Sequence, residues 1–249
     1  MKDLPNIIET FQSLFQAHHT SLPWQPTEAN IQQFSELYIE ICSGNERLNL
    51  TRITTLEDFW EKHLWDSLAA IAPNFDPAQP TKLIDIGTGG GFPAFPLAIA
   101  FPHWETTLLD STRKKINFLN ELSQKLNFKA QGVAERAETL GRNPKHREQY
   151  DLATVRAVGK AAICAEYALP FLKLDGLAIL YRGQWNPEDT TTLEPAIAEC
   201  GGTIEDVRTF TTPLTHSQRT CLYIRKTKPI KNQFPRPIGI PKQDPLAAV

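Results

Sequence analysis

In the first seventy residues apolar side chains recur at spacings of three and four, the period of a helix face. Leu4, Ile7, Ile8, Phe11, Leu14 and Phe15 mark one such face. Ile31, Phe34, Leu37, Tyr38 and Ile41 mark a second, on a helix that starts near Thr27 with Glu28 in its first turn. The stretch Leu56 to Ile71 predicts a third helix, with Phe59, Leu64, Leu68 and Ile71 along one side. Pro73, Pro77 and Pro80 then break the pattern and mark a linker.

From Lys82 the texture changes to short apolar runs alternating with helical patterns. Leu83–Ile86, Glu105–Asp110, Phe128–Val133, Tyr150–Val155 and Gly176–Tyr181 read as strands. Segments through Leu97 and Ala100, from Arg113 to Leu126, from Ala161 to Leu172 and from Leu193 to Cys200 read as helices, the last stopped by Gly201-Gly202. This alternation implies right-handed crossovers and a mostly parallel sheet covered on both faces. Ile204–Phe210 and Arg219–Arg225 have no helix between them, which predicts an antiparallel pair at one edge. The expected organisation is an N-terminal helical region over 1–75, an α/β domain over 76–225, and a basic, Pro-rich tail over 226–249.

Composition narrows the class only slightly. Of 249 residues, 41% are hydrophobic and 22% charged, as in ordinary globular proteins. No apolar run is long enough to span a bilayer, and the N-terminus lacks a signal-peptide pattern, so a cytoplasmic location is expected. Cys42, Cys164, Cys200 and Cys221 are scattered without a CxxC pair, which reads as reduced, buried thiols and no metal site. The net charge of −2 does not announce a nucleic-acid partner. Locally, however, Arg225, Lys226, Lys228, Lys231, Arg236 and Lys242 follow one another with no intervening acid. Such a tail is either an arm for phosphates or a solvated terminus.

The chemistry concentrates at Asp85-Ile86-Gly87-Thr88-Gly89-Gly90-Gly91-Phe92-Pro93, where a strand feeds into four glycines within five positions. At the end of a strand in an open α/β sheet, such a loop lets a ligand lie against the backbone. A dinucleotide-binding loop needs a small residue where Phe92 stands. An acid just before the loop, Asp85, also faces a pyrophosphate poorly and a cation well. S-adenosylmethionine, with its sulfonium and ammonium, meets that requirement. Asp110, at the end of the second strand, suits adjacent ribose hydroxyls, with helix capping as the alternative.

The chain resembles the bacterial ribosomal small subunit methyltransferase G family, also called glucose-inhibited division protein B. The resemblance rests on Leu48-Asn49-Leu50-Thr51, His63-Leu64-Trp65-Asp66-Ser67, the glycine loop, Leu109-Asp110-Ser111, Val155-Arg156-Ala157 and Gly183-Gln184. It implies a Rossmann-like class I methyltransferase, with a mostly parallel seven-stranded sheet and an antiparallel edge pair behind an N-terminal helical region. It also implies methyl transfer to N7 of a guanosine in the decoding-region loop of 16S rRNA. The cofactor contacts it implies are Gly87, Phe92, Asp110, Ser111, Thr112, Ala137, Glu138 and Arg156. Two positions depart from the family pattern: Ala94 replaces a glycine, and Arg182 replaces a lysine of different geometry.

Guanine N7 carries no proton, so the reaction needs no general base. His63, Asp66 and Arg182 are therefore weak catalytic candidates, and His63 with Ser67 reads more readily as a structural cluster. Asn49 is either a cap or an RNA contact. Arg47, Arg52, Arg113, Lys114, Lys115, Arg182 and the tail are the candidates for contact with 16S rRNA or the small ribosomal subunit. A monomer is expected, with no membrane partner. The competing readings are a methyltransferase for a small molecule or protein, a non-catalytic RNA-binding module and, most remotely, a dehydrogenase.

Overall fold

The computed structural model describes residues 3–22, 24–71 and 78–246. Pro73 and Pro77 lie outside the described residues.

Helix α1 (Leu4–Ala17) buries Ile7, Phe11 and Phe15, the core of its predicted face. Helix α2 (Glu28–Leu48) begins with a capping box. The Asn30 amide donates to Thr27 Oγ1 at 3.2 Å and the Thr27 amide donates to Asn30 Oδ1 at 2.9 Å. Asn49 ends α2 in the left-handed region at φ 49°, so of its two roles the structure realises the cap. The third helical stretch is continuous but not uniform. It runs as α3 (Leu56–Phe59), a π-helical segment (Trp60–Trp65) and α4 (Asp66–Ala69). A single stripe of Phe59, Leu64, Leu68 and Ile71 is too narrow a description. Trp60, Glu61, His63, Trp65 and Ser67 are buried as well, because the stretch is enclosed by α1 and α2 on one side and the sheet on the other.

The sheet contains β1 (Lys82–Ile86), β2 (Glu105–Asp110), β3 (Ala130–Ala134), β4 (Tyr150–Arg156), β5 (Leu172–Arg182), β6 (Gly202–Thr211) and β7 (Gln218–Lys226). Their order is β3-β2-β1-β4-β5-β7-β6. The first five are mutually parallel, and β7 runs antiparallel to both β5 and β6, which sets the expected antiparallel pair at one edge. The third strand starts two residues later than predicted, and the fifth starts earlier, at Leu172. Helices α5 (Ala94–Ala100), α6 (Arg113–Lys125), α7 (Ala137–Leu140), α8 (Ala161–Ala168) and α9 (Pro187–Glu199) fill the connections.

Successive strand residues face opposite layers. Leu83, Leu108, Leu152, Ile179 and Tyr223 pack into the layer holding α1 to α4 together with α5 and α6. Ile84, Leu109, Ala153, Leu180 and Ile224 pack into the opposite layer with α8 and α9. The alternation also decides which polar groups reach which side at the strand ends. All four cysteines are free and buried, and burial pushes the Cys164 thiol up to about 11. Among the described residues no helix is long and apolar enough to cross a membrane.

The tail is not a free arm. Arg225 pairs with Glu205, Lys226 is wholly buried against Glu148, and Arg236 pairs with buried Glu166. Phe234 is fully enclosed in the layer of α8 and α9. Of the six basic tail residues, Lys228, Lys231 and Lys242 remain exposed without an ion pair among the described residues.

Candidate cofactor and active site

The glycine loop is drawn tight over the end of β2. The amides of Gly87 and Thr88 both donate to the Leu109 carbonyl, at 2.8 and 3.0 Å. Gly87 takes φ 70°, and a Cβ there would lie 2.5 Å from Val158 Cγ2, so no other residue fits without displacement. A Cβ on Gly90 would meet the Leu50 carbonyl at 3.2 Å. The Leu48–Thr51 segment is thus packed directly on the loop, which explains why these two motifs belong together.

Asp110 holds this corner with both oxygens. Oδ2 accepts from the Gly89 amide at 3.1 Å and Oδ1 from the Thr112 amide at 2.8 Å. The N-cap of α6 is Thr112, so Asp110 closes the turn before that helix rather than capping it, and it lines a cavity of about 430 Å³ at the strand ends. Gly87, Ser111, Ala137 and Glu138 line the same cavity. Five of the eight expected cofactor residues are thus brought together. Thr112 lies beside them but outside the cavity wall. Lys242, Glu135, Arg136, Val158 and Tyr167 are further lining residues that sequence reasoning missed. No local pattern distinguishes them, since Tyr167 and Lys242 arrive from distant elements. Glu138 Oε1 accepts from Tyr167, the Gly239 amide and Arg136. Burial alone would raise this carboxyl, but its own and the Gly239 amide, the Tyr167 hydroxyl and the Arg136 charge together hold it below the usual range.

Phe92 and Arg156 belong to a second group, on the α1–α4 side. The Phe92 ring stacks on His63 with centroids 4.0 Å apart. Arg156 Nη1 donates to the Lys62 carbonyl at 2.8 Å and to Asp66 at 3.1 Å. Its Nη2 lies 3.1 Å from His63 Nδ1. A guanidinium only donates, so Nδ1 must be the accepting nitrogen and the proton sits on Nε2, 2.8 Å from Thr51 Oγ1. Asp66 also pairs with Arg219 at 3.5 Å. Burial pushes the Asp66 carboxyl up against the pull of Arg156 and Arg219. Ser67 is held by its carbonyl, which accepts from the Tyr181 hydroxyl at 3.0 Å. Asp66, Arg156, Tyr181, Arg182, Gly183 and Arg219 border a second cavity, about 590 Å³. Arg182 donates to the Gly159 carbonyl at 2.6 Å, a contact that a lysine could make without the rest of the fork.

The two cavities lie on either side of the turn after β4. Arg156 and Ala157 border one and Val158 the other. Ala157 adopts φ 58°, a conformation that costs a non-glycine residue and that here divides the two sides.

Burial and the Arg156 charge hold the His63 imidazolium well below its ordinary range, so this histidine is neutral. In the unfolded chain it takes up a proton near pH 6.5. As pH falls below that value the unfolded state binds a proton that the native state refuses, and stability drops by up to about 1.4 kcal/mol per pH unit. His63→Gln is expected to lose this dependence: its stability relative to wild type should improve steadily from pH 7 to pH 5. Denaturant titrations at the two pH values check this, and a constant difference would mean that the histidine is already charged in the fold.

Asp85 is wholly buried beneath the loop. Oδ1 accepts from Thr154 Oγ1 at 2.8 Å. Oδ2 and the Thr88 hydroxyl, though close enough for Thr88 to lower the carboxyl, make no hydrogen bond of normal geometry. Burial dominates and pushes Asp85 up to about 6. A buried carboxylate oxygen left over beside a glycine loop fits a cationic ligand and opposes an anionic one. The bulk of Phe92, wedged against His63, likewise denies the close loop–helix approach that a dinucleotide loop requires. The residues present therefore fit S-adenosylmethionine.

Comparison with known proteins agrees with this geometry. The solved structure of the antibiotic-resistance methyltransferase Kmr superposes with a TM-score of 0.51 at 13% identity, over 60% of this chain and 88% of that one, which supports the fold. The ribosomal RNA small subunit methyltransferase G of Nostoc punctiforme is 50% identical over 98% of both chains. That of Microcystis aeruginosa is 52% identical over 86% of this chain and 97% of its own. Residues 30–220 match the model of the GidB family. With a fold, a glycine loop and relatives of this similarity, the chain belongs to the rRNA small subunit methyltransferase G family.

Proposed function

We propose that the protein transfers a methyl group from S-adenosylmethionine to N7 of a guanosine in the decoding-region loop of 16S rRNA. The observation that carries this reading is the pair of adjoining cavities at one strand edge. One is lined by Gly87, Asp110, Ser111, Ala137 and Glu138, the other by Asp66, Arg156 and Arg182. The first suits an adenosine, with Asp110 and Ser111 for the ribose and Ala137 and Glu138 for the base. The second suits the acceptor.

S-adenosylmethionine, when bound, supplies an electrophilic methyl on a sulfonium. The chain's own residues then have two tasks. The first is to hold donor and acceptor in line, which contributes up to about 7–11 kcal/mol in ideal cases. The second is to accommodate the charge that the base gains. Asp66, fixed between Arg156 and Arg219, is the anion bordering the acceptor cavity. His63 takes no proton. Its Nδ1 is occupied by Arg156 and its Nε2 proton faces Thr51. It positions Arg156, and with Phe92 it supports the loop.

Arg47 and Arg52 bracket the segment packed on the glycine loop, and Arg113 and Lys114 open α6 directly after β2. All four are exposed and without ion pairs among the described residues, so they are free to neutralise phosphates. The setting is cytoplasmic, as a substrate inside the ribosome requires.

The test offers purified protein and S-adenosylmethionine to naked 16S rRNA, to small subunits and to free nucleosides, followed by digestion and mass spectrometry. 7-Methylguanosine is expected from RNA or subunits and not from nucleosides. Asp110→Ala should weaken donor binding about 100-fold, the loss of two charge-assisted hydrogen bonds. Transfer to nucleosides alone would end the rRNA reading.

A further inference from the structure

The family's model matches this chain only as far as residue 220, yet one wall of the donor cavity comes from beyond it, at Lys242. The segment that carries Lys242 is fastened at successive points. Arg147 Nη1 donates to the Phe234 carbonyl at 2.7 Å, and Arg142 donates to the carbonyls of Gln233 and Pro235 at 2.8 and 2.9 Å. Arg236 forms a two-pronged pair with Glu166, whose carboxylate is fully buried. Gly239 then turns the chain at φ 86° and its amide donates to Glu138 Oε1 at 3.2 Å. The short helix α10 (Ile240–Gln243) follows and brings Lys242 to the cavity.

We propose that residues 230–243 are a built part of the donor site, a strap that fixes Glu138 and presents the Lys242 ammonium to the nucleoside end of the cavity. This rests on the reading of that cavity as the site of an adenosine-bearing donor. The chemistry favours a purine: its ring nitrogens are acceptors, and Lys242 brings three donors beside a carboxylate already satisfied by Gly239 and Tyr167. Two of the strap's basic residues thus serve the donor rather than RNA. Arg236 is spent on Glu166, and Lys242 faces the cavity.

The experiment measures S-adenosylmethionine and S-adenosylhomocysteine binding by calorimetry, with steady-state kinetics and the salt dependence of rRNA binding alongside. Lys242 is exposed, so Lys242→Ala should fold normally. It is expected to weaken both nucleoside ligands about fivefold and raise KM for the donor at unchanged kcat. Arg236→Ala, which releases the strap, should weaken them at least as much and open the chain to protease after Lys226. Lys228→Ala, outside both the strap and the cavity wall, should bind donor as wild type does. Donor affinity unchanged in both Lys242→Ala and Arg236→Ala overturns the proposal, and a reduced salt slope in Lys242→Ala would assign the lysine to RNA instead. Wild-type protein that binds neither nucleoside ligand would overturn the reading of the cavity itself.

Discussion

Asp85→Asn is expected to give a protein that is more stable when ligand-free at neutral pH and nearly unable to hold its donor. A carboxyl displaced from 3.8 to about 6 costs the folded state about 3 kcal/mol once it ionises. Because the folded value is raised, the stability this group contributes is complete below pH 4 and is lost as pH rises through 6. Asparagine never ionises. Its oxygen keeps the bond from Thr154, and its amide can donate to the unpartnered Thr88 hydroxyl. The variant should therefore gain about 2–3 kcal/mol at pH 8, and the gain should shrink toward zero at pH 4. Loss of the buried charge beneath the glycine loop should weaken S-adenosylmethionine binding about 100-fold. Scanning calorimetry at the two pH values and titration calorimetry at pH 8 measure both effects. A variant less stable at pH 8, or one with wild-type donor affinity, would contradict the assignment.

Arg156→Met should be the most damaging single exchange near the acceptor cavity. The guanidinium touches Lys62, His63 and Asp66 at once. Removing it leaves the Asp66 carboxylate with Arg219 alone, at 3.5 Å, in a site whose side chain is 12% exposed. Breaking a buried pair from one side costs about 3–5 kcal/mol, and the remaining arginine places this case near 3. The deficit should narrow as pH falls, because a protonated Asp66 needs no counter-charge. Lys at this position keeps the charge but cannot make the fork, so Arg156→Lys should recover only part of the loss. Urea unfolding at pH 5 and pH 8 decides it, and a loss under 1 kcal/mol would mean that Asp66 does not depend on Arg156.

The parallel sheet and its antiparallel edge were legible because each strand is a short apolar run whose pattern is set by local neighbours. The glycine loop and Asp110 were legible for the same reason: a tight turn and the acid it leans on leave fixed residue types at fixed spacing. The π-helical segment left no such trace. Glu61 and His63 are polar residue types that give no sign of burial, yet both are buried, and the partners of Glu61 lie far away in sequence. Glu61 accepts from the amides of Leu214 and Thr215, more than 150 residues on. The tail was illegible in the same way. Its prolines and cations suggest solvent, but what holds it is a set of backbone carbonyls meeting Arg142 and Arg147 some ninety residues earlier. Lys242 in the cavity beside Glu138 and Arg219 beside Asp66 follow from such long-range meetings and from nothing in their own neighbourhoods.

Tyr223 donates to the carbonyl of Ala70, a partner 153 residues away. During synthesis the N-terminal helices leave the ribosome long before the sheet edge that is to receive them exists. At about 5–20 residues per second, that interval is roughly 8–30 s. Phe92 and helices α5 and α6 reach Phe11, Phe34, Phe59 and Trp60 early in that interval, but the sheet edge that closes over Ala70 comes only at its end. A protein that services ribosomes thus emerges from one with its first helices waiting on its last strand.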